Sequence, residues 1–210
     1  MRGLNLSLSA RRSHRLLSAL SLICCSPVVN ASLLNTDFSN GFTGWQAEIS
    51  QYNLSTGTDS QSTGELFAGY TDNFLLSANQ VTLNTSTTGV EDIWQVVMFQ
   101  DFILSPASAG ATWQLSVDIS SSLSSVSDFA FAQLRNLDTN DILNLSSGGS
   151  FDISQWIGVH ASLEFGVIDN DFILGDSLTI SNLALRQQIP EPSSLLLLTL
   201  GALALRRRLI

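Results

Sequence analysis

Alternation of apolar and polar residues with a period of two is the feature that most constrains how this 210-residue chain can fold. Residues 159–167 carry Val, Ala, Leu, Phe and Val at every second position, with His, Ser, Glu and Gly between them. Side chains on a strand point alternately to opposite faces, so such a stretch predicts a strand with one face on a core. Residues 113–119 and 178–185 show the same alternation, less regularly towards the end of the second run.

Further apolar runs, and the turns between them, extend this pattern to an all-β fold. Residues 93–104 are apolar on both faces in the middle, as expected of a central strand that is covered on both sides. Residues 67–76 and 129–137 are further candidate strands. Turn-forming clusters separate these runs at residues 56–60, 105–106, 138–141, 146–150 and 169–171. Many short strands with frequent turns, and no helical apolar stripe between the two ends of the chain, predict an all-β sandwich.

The first 31 residues have the composition of a secretory signal peptide with a helical apolar core. Four arginines precede an apolar stretch at residues 16–25, and small residues before Ser32 predict cleavage between Ala31 and Ser32. A lipidated cysteine at position 24 or 25 and a twin-arginine signal at positions 11 and 12 are weaker alternatives, because their neighbouring residues do not fit those motifs. Cleavage would remove both cysteines, so neither a disulfide nor thiol chemistry is expected in the mature chain.

The segment between the two ends is strongly acidic. Residues 32–192 contain all 18 acidic residues and only two basic ones, Arg135 and Arg186, so their net charge is 2 − 18 = −16. Such a surface repels nucleic acid and anionic lipid, which excludes functions that depend on binding phosphate backbones. The length is sufficient for one domain with a real core. We therefore expect a single β-sandwich domain over residues 32–187.

The last residues combine three parts in a fixed order: Pro190-Glu191-Pro192, an apolar stretch, and Arg206-Arg207-Arg208. The prolines interrupt any preceding helix, the apolar stretch inserts into a membrane, and the arginines stay on the cytoplasmic side. Residues 193–205 would form only about 20 Å of helix, whereas a stable span needs about 20 residues. This predicts a short transmembrane helix that is held transiently rather than a permanent anchor.

The order of these parts over residues 188–210 resembles the PEP-CTERM sorting signal of Gram-negative bacteria that make extracellular polysaccharide. The resemblance implies that exosortase, a membrane peptidase, recognises the Pro-Glu-Pro motif, cuts near it and passes the protein to the cell surface or the extracellular matrix. Extracellular polysaccharide is then an expected partner. The sorting residues that it implies are Pro190, Glu191, Pro192, Arg206, Arg207 and Arg208.

Both ends of the central segment resemble galactose-binding-like jelly rolls, a group that includes many carbohydrate-binding modules. The motif is Asn35, Phe38, Gly41 and Trp45 in residues 34–45, and the closing strand at residues 176–185 is similar to the last strand of those domains. The resemblance implies a jelly-roll β-sandwich in which the Phe and Trp pack at one end of the core and glycines allow the turn between them.

In that group an acid after the Phe and an Asp in the last strand often help to hold a structural calcium ion. Here those positions are Ser39 and residues 181–182, a Ser and an Asn. This departure weakens the calcium site that the resemblance implies, so we expect no cofactor, and a structural calcium ion is the alternative. Two other clusters of oxygen-bearing residues lack the spacing of a known calcium loop, and we interpret them as solvated turn residues. These clusters are Asp138, Asn140 and Asp141, and Asp169, Asp171 and Asp176.

Catalysis has little support in the sequence. After signal cleavage His160 is the one histidine, it lies on the polar face of a predicted strand, and there is no lysine. No nucleophile elbow and no set of His or Cys metal ligands accompanies it, so we expect no enzyme and no catalytic residue. A carbohydrate-binding module with a defined sugar is one alternative. A glycan-acting enzyme is the other, because a pair of carboxylates remains available among the acids.

Aromatic residues are the candidates for stacking against a sugar. Trp113 is in phase with the apolar face of its strand and Trp94 lies in an apolar run, so both are predicted to be core residues. Tyr52, Tyr70 and Trp156 lie near predicted turns and are the better ligand candidates, although no single site emerges from them.

Overall fold

The computed structural model describes residues 33–189, which form two antiparallel β-sheets packed face to face around one apolar core. No helix in this range is long and apolar enough to cross a membrane. The strands are β1 (Gln46–Asn53), β2 (Thr58–Gly64), β3 (Phe74–Ser77), β4 (Gln80–Asn84), β5 (Ser86–Thr87), β6 (Glu91–Ile103), β7 (Thr112–Ser122), β8 (Phe129–Asn136), β9 (Ile142–Asn144), β10 (Gly149–Asp152), β11 (His160–Ile168) and β12 (Ser177–Gln188). A single 3₁₀ turn, Ser154–Trp156, precedes β11.

The chain passes repeatedly from one sheet to the other. The seven-stranded sheet has the order β2-β1-β6-β11-β8-β9, with β5 paired to β6, and the five-stranded sheet has the order β10-β7-β12-β4-β3. From β6 to β8 and from β10 to β12, each connection crosses from one sheet to the other. This arrangement confirms the predicted all-β fold with two sheets. The signal helix and the C-terminal transmembrane helix predicted for the chain ends lie outside the described residues, and the jelly-roll assignment stays a prediction.

The predicted core-facing positions are confirmed in β7, β11 and β12. Ala161, Leu163, Phe165 and Val167 all point into the core with 0% exposure. Strand β6 lies between β1 and β11, so the prediction of a central strand is also confirmed. The middle of β6 is buried on both faces as predicted, with Val97 8% exposed on the outer face, whereas Asp101 and Ile103 further along that face are exposed. The outer face of β6 forms the floor of an open groove, because no third layer of strands within residues 33–189 packs over it.

Residues 67–76 were predicted to form one strand, and this is wrong. Most of the segment is a series of turns, and β3 begins only at Phe74. Aromatic packing explains the difference: the Phe67 ring stacks on Phe42 at 4.1 Å and meets Phe74 edge-on at 4.9 Å. The backbone polar groups find partners inside the turns, as where the Asn73 N–H donates to the Tyr70 carbonyl at 3.0 Å.

The segment before β1 is also built of turns, and it closes one end of the core. Phe38 and Trp45 are 4% and 1% exposed, and their ring centroids lie 5.6 Å apart, as the resemblance predicted. Gly41 and Gly44 have φ angles of +64° and +87°, a region that favours glycine, so they allow the chain to turn between the two rings.

One buried glutamine holds this segment in place. Gln100 occupies a core-facing position of β6 opposite Leu163 and is only 4% exposed. Its Oε1 accepts the Leu34 N–H at 2.5 Å, and its Nε2 donates to the carbonyls of Leu34 (3.2 Å) and Gly44 (2.9 Å). A single side chain therefore satisfies three backbone groups that fold over the core.

Replacing Gln100 with leucine is expected to lower the free energy of unfolding by about 2 kcal/mol, because the three backbone groups lose their partner inside the protein. Urea unfolding of the full chain, followed by circular dichroism, measures the loss. The matched control is Gln114→Leu, on the outer face of β7, where a change of no more than about 0.5 kcal/mol is expected. Equal losses in the two variants would contradict the role assigned to Gln100.

Candidate functional site

A groove of about 210 Å³ crosses the outer face of the seven-stranded sheet, on the side away from the core. Four neighbouring strands, β1, β6, β11 and β8, supply most of its surface. Residues at alternate positions of each strand point to the same face, which brings together side chains that are distant in sequence. The lining residues are Glu48, Gln95, Val97, Phe99, Asp101, Phe131, Arg135, Leu137, Ser162 and Glu164.

Glu164 is the central polar residue of the groove. It is 7% exposed although it lies on an outer sheet face, and it pairs in register with Phe99 of β6 and Gln133 of β8. Its Oε1 accepts hydrogen bonds from Nε (2.7 Å) and Nη2 of Arg135, and its Oε2 accepts one from Nε2 of Gln133 at 2.7 Å. Both carboxylate oxygens are therefore held in place by neighbours on β8.

Arg135 is one of two basic residues among residues 33–189, and it remains accessible from the groove. Its side chain is 37% exposed. The hydrogen bond with Glu164 raises the pKa of the guanidinium. Partial burial lowers this pKa, and the negative charges of Glu164, Asp101 and Glu48 raise it further. On the β1 side of the groove, Nε2 of Gln95 donates to Glu48 at 2.8 Å. The groove thus carries fixed donors and acceptors on both sides.

Two phenylalanine rings lie next to these polar groups. Phe99 and Phe131 are half-buried and both line the groove. The Phe131 ring rests against Gly166, where any Cβ would overlap it, so the absence of a side chain at this position makes room for the ring. The hydroxyl of Ser162 is buried in the same groove without a hydrogen-bond partner. Apolar rings beside oriented polar groups are the combination that a sugar requires, because it presents both C–H faces and hydroxyl groups.

A second depression lies at the irregularity of β12, between this strand and the N-terminal turns. Its lining includes Asp37, Asn182 and Arg186 but no aromatic ring. The positions that the jelly-roll resemblance associates with calcium lie nearby. Asn182 donates to Asp118 at 2.6 Å, and the amide and hydroxyl of Ser39 donate to Asp37 at 3.1 and 2.9 Å. These two residues act as hydrogen-bond donors to carboxylates, and a metal ion needs free oxygen ligands.

The aromatic ligand candidates do not lie in the groove. Trp156 is 6% exposed and packs in the core, so its prediction as a ligand candidate is wrong. Tyr70 packs against the core and its hydroxyl donates to Gln51 at 3.3 Å, whereas Tyr52 is half-buried with its ring 6.0 Å from that of Phe172. Trp113 packs against the core as predicted. Periodicity identifies the face on which Phe99 and Phe131 lie, but it does not say that their strands flank the same strand, β11.

The predicted turn residues behave in two different ways. Asp138 and Asp141 lie exposed in the β8–β9 turn as predicted, where Thr139 donates its hydroxyl to Asp141 at 2.7 Å. His160 is exposed at the start of β11, also as predicted. The interpretation of Asp169 and Asp176 as solvated residues is wrong, because both carboxylates are buried.

These two aspartates meet a third, Asp128, at one end of the sandwich. The three residues are 2%, 0% and 5% exposed, and one carboxylate oxygen from each lies within 4.8 Å of the others. Burial raises the pKa of the Asp169 carboxyl, backbone N–H donors lower it, and the charges of Asp176 and Asp128 raise it. The sequence did not indicate that Asp128 belongs to this cluster, because it precedes β8 and lies 41 residues before Asp169. In residues 33–189, this is the one group of three carboxylates close enough to share an ion.

Comparison with known proteins identifies the C-terminal motif. A family model of the PEP-CTERM protein-sorting motif matches residues 188–208. Proteins with this motif are processed by exosortase, a membrane protease, and the motif indicates that this chain is exported. No curated protein matches the chain. The individual sorting residues Pro190, Glu191, Pro192 and Arg206–Arg208, the segment 193–205 and the predicted cleavage site Ala31–Ser32 lie outside the described residues, so their roles stay predictions.

Proposed function

We propose that the chain is delivered to the cell surface or the extracellular matrix of a Gram-negative bacterium and that its β-sandwich associates there with polysaccharide without catalysing a reaction. The sorting motif supports delivery outside the cell. The groove on the seven-stranded sheet is the observation that carries the polysaccharide part of the proposal. The alternative of a carbohydrate-binding module with one defined sugar rests on the same groove.

The composition of the groove favours a neutral, hydroxyl-rich glycan. The rings of Phe99 and Phe131 offer apolar surface to the C–H face of a sugar ring. The free edge of Arg135 would donate to hydroxyl groups, and Glu48 and Asp101 would accept from them. Three carboxylates against one guanidinium would repel a polysaccharide rich in uronic acids, so electrostatics disfavours an anionic ligand.

The hydrogen bonds that Glu164 already accepts support a non-catalytic role. Glycoside hydrolysis needs two carboxyl groups, one of which gives a proton to the leaving oxygen and takes part in the reaction directly. Both oxygens of Glu164 already accept hydrogen bonds from Arg135 and Gln133, and Glu48 accepts one from Gln95. Carboxylates held in this way are suited to orienting donors around a bound sugar.

Replacing Phe131 with alanine is expected to weaken glycan binding roughly ten-fold, the effect of losing about 1.4 kcal/mol of stacking and apolar contact. A glycan array with the full chain identifies the ligand, and titration of that ligand gives the affinities of wild type and variant. Phe172→Ala is the matched control, because this ring is 51% exposed and lies outside the groove.

Three results distinguish the three candidate functions. Loss of binding in Phe131→Ala with retention in Phe172→Ala supports the groove. A wild-type protein that binds no glycan on the array would contradict direct binding and favour a matrix component that contributes only its fold. Release of sugar products by the purified wild type would favour the glycan-acting enzyme and would contradict a non-catalytic role.

A further inference from the structure

The buried aspartates at one end of the sandwich come from two connections between the sheets. Asp128 ends the β7–β8 connection, and Asp169 and Asp176 begin and end the β11–β12 connection. Two oxygens that bind the same calcium ion at about 2.4 Å lie at most about 4.8 Å apart. One carboxylate oxygen of each aspartate meets this limit with respect to the other two.

Each carboxylate has one oxygen anchored by the backbone. Oδ1 of Asp128 accepts the Asn170 N–H at 2.9 Å, and Oδ1 of Asp176 accepts the Ser124 N–H at 2.6 Å. Oδ1 of Asp169 accepts the N–H groups of Asp171 and Phe172 at 3.0 and 2.6 Å. The second oxygens of Asp169 and Asp176 are buried and have no hydrogen-bond partner. Oδ2 of Asp128 accepts the Ser124 hydroxyl at 3.1 Å, so the free, buried oxygens of the cluster are those of Asp169 and Asp176. Anchored carboxylates with free oxygens of this kind are oriented for a ligand that accepts electron pairs.

No arginine or lysine within residues 33–189 lies close enough to neutralise the negative charge of the cluster. Arg135 is seven residues beyond Asp128 along β8, and Arg186 is ten residues beyond Asp176 along β12. At about 3.3 Å per residue these arginines lie roughly 20 and 30 Å away along their strands. Buried carboxylates are costly unless they are paired, protonated or bound to a metal ion.

We propose that Asp128, Asp169 and Asp176 bind one hard divalent cation, with calcium the best match. The donor set contains only oxygen, without the His or Cys that zinc prefers. Calcium takes six to eight oxygens in flexible geometry, so carbonyls, hydroxyls and water complete its shell, whereas magnesium demands a stricter octahedron. Thr85 offers a further oxygen beside Asp176: its N–H donates to the Asp176 carbonyl at 3.0 Å and its buried hydroxyl has no partner.

A cation at this position would join the two sheets. The connections that supply its ligands begin at β7 and β11 and end at β8 and β12, so each runs between the seven-stranded and the five-stranded sheet. Sites in extracellular modules bind calcium with dissociation constants of about 10⁻⁴–10⁻³ M, concentrations that occur outside the cell and not in the cytosol. The site would therefore fill after export, independently of whether the groove binds a glycan.

The test uses the full chain, purified in mild detergent and stripped with a chelator, with calcium chloride as the probe. Calorimetric titration is expected to show one site per chain. Calcium at about one hundred times the dissociation constant is expected to raise the Tm by roughly 5–10 °C. Asp169→Asn and Asp176→Asn should abolish this shift, whereas Asp138→Asn, the same change in an exposed turn, should keep it.

The variants also separate a cation site from a merely structural role. In chelator, Asp169→Asn is expected to melt at the same temperature as wild type or higher, because it removes an unpaired buried charge. A lower Tm in chelator and a retained calcium shift would overturn the proposal. So would a wild-type protein that releases no heat with calcium and shows no change in Tm, a result that does not depend on the folding of any variant.

Discussion

Replacing Trp45 with alanine is expected to lower the free energy of unfolding by about 3–5 kcal/mol, the range for removal of a large aromatic side chain from a core. Trp45 is 1% exposed, and its ring centroid lies 5.6 Å from that of Phe38 and 6.1 Å from that of Phe165. Its indole N–H donates to the Asn35 carbonyl at 3.3 Å. The side chain therefore joins the N-terminal turns to the middle of β11, and its loss affects both.

Denaturant unfolding followed by far-ultraviolet circular dichroism measures this loss without relying on the fluorescence of the residue removed. Trp45→Phe is the matched control, because phenylalanine fills much of the cavity and loses only the indole hydrogen bond; a cost of about 1–2 kcal/mol is expected. A loss below about 1 kcal/mol in Trp45→Ala would show that the N-terminal turns are not part of the cooperative core.

Replacing Pro190, Glu191 and Pro192 together with alanine is expected to abolish processing and delivery to the cell surface. The family match covers these three residues, and proteins with the motif are processed by exosortase. Alanines also remove the two prolines that separate the last strand from the apolar segment, so a helix is free to continue through this region. The uncut chain is then expected to remain in the inner-membrane fraction.

Cell fractionation and immunoblotting of wild type and variant check this prediction. Asp138→Ala, a substitution in an exposed turn of the sandwich, controls for general effects on folding and expression. Unchanged surface delivery of the triple variant would contradict the sorting role of Pro-Glu-Pro. The stability of the sandwich and the glycan affinity of its groove are measured on purified protein, so they are not affected by this outcome.

The strands were predictable wherever a local pattern determines them. A period of two in residues 159–167 is sufficient to place Leu163 and Phe165 in the core and Glu164 on the other face, because successive side chains on a strand point in opposite directions. Segment 67–76 lacks such a constraint. There, the packing of Phe67 and Phe74 with Phe42 outweighs the tendency of an apolar run to extend.

The candidate sites were predictable only in part. Glu164, Arg135 and Phe131 each belong to a recognisable polar face, yet their meeting depends on β8 pairing with β11. Likewise the buried pair Asp169 and Asp176 looks like an ordinary turn in the sequence. Its burial next to Asp128 follows from two connections that meet at the same end of the sandwich.

The sequence by itself determined the properties that depend on neighbours along the chain: the alternation that makes strands, the acidic balance, and the sorting motif at residues 188–208. The tertiary structure decided which strands lie side by side, and hence the groove around Glu164 and the cluster around Asp169. The physical reason is that strand pairing and loop contacts are long-range: the partners of one side chain are set by the packing of both sheets, which a local pattern does not encode.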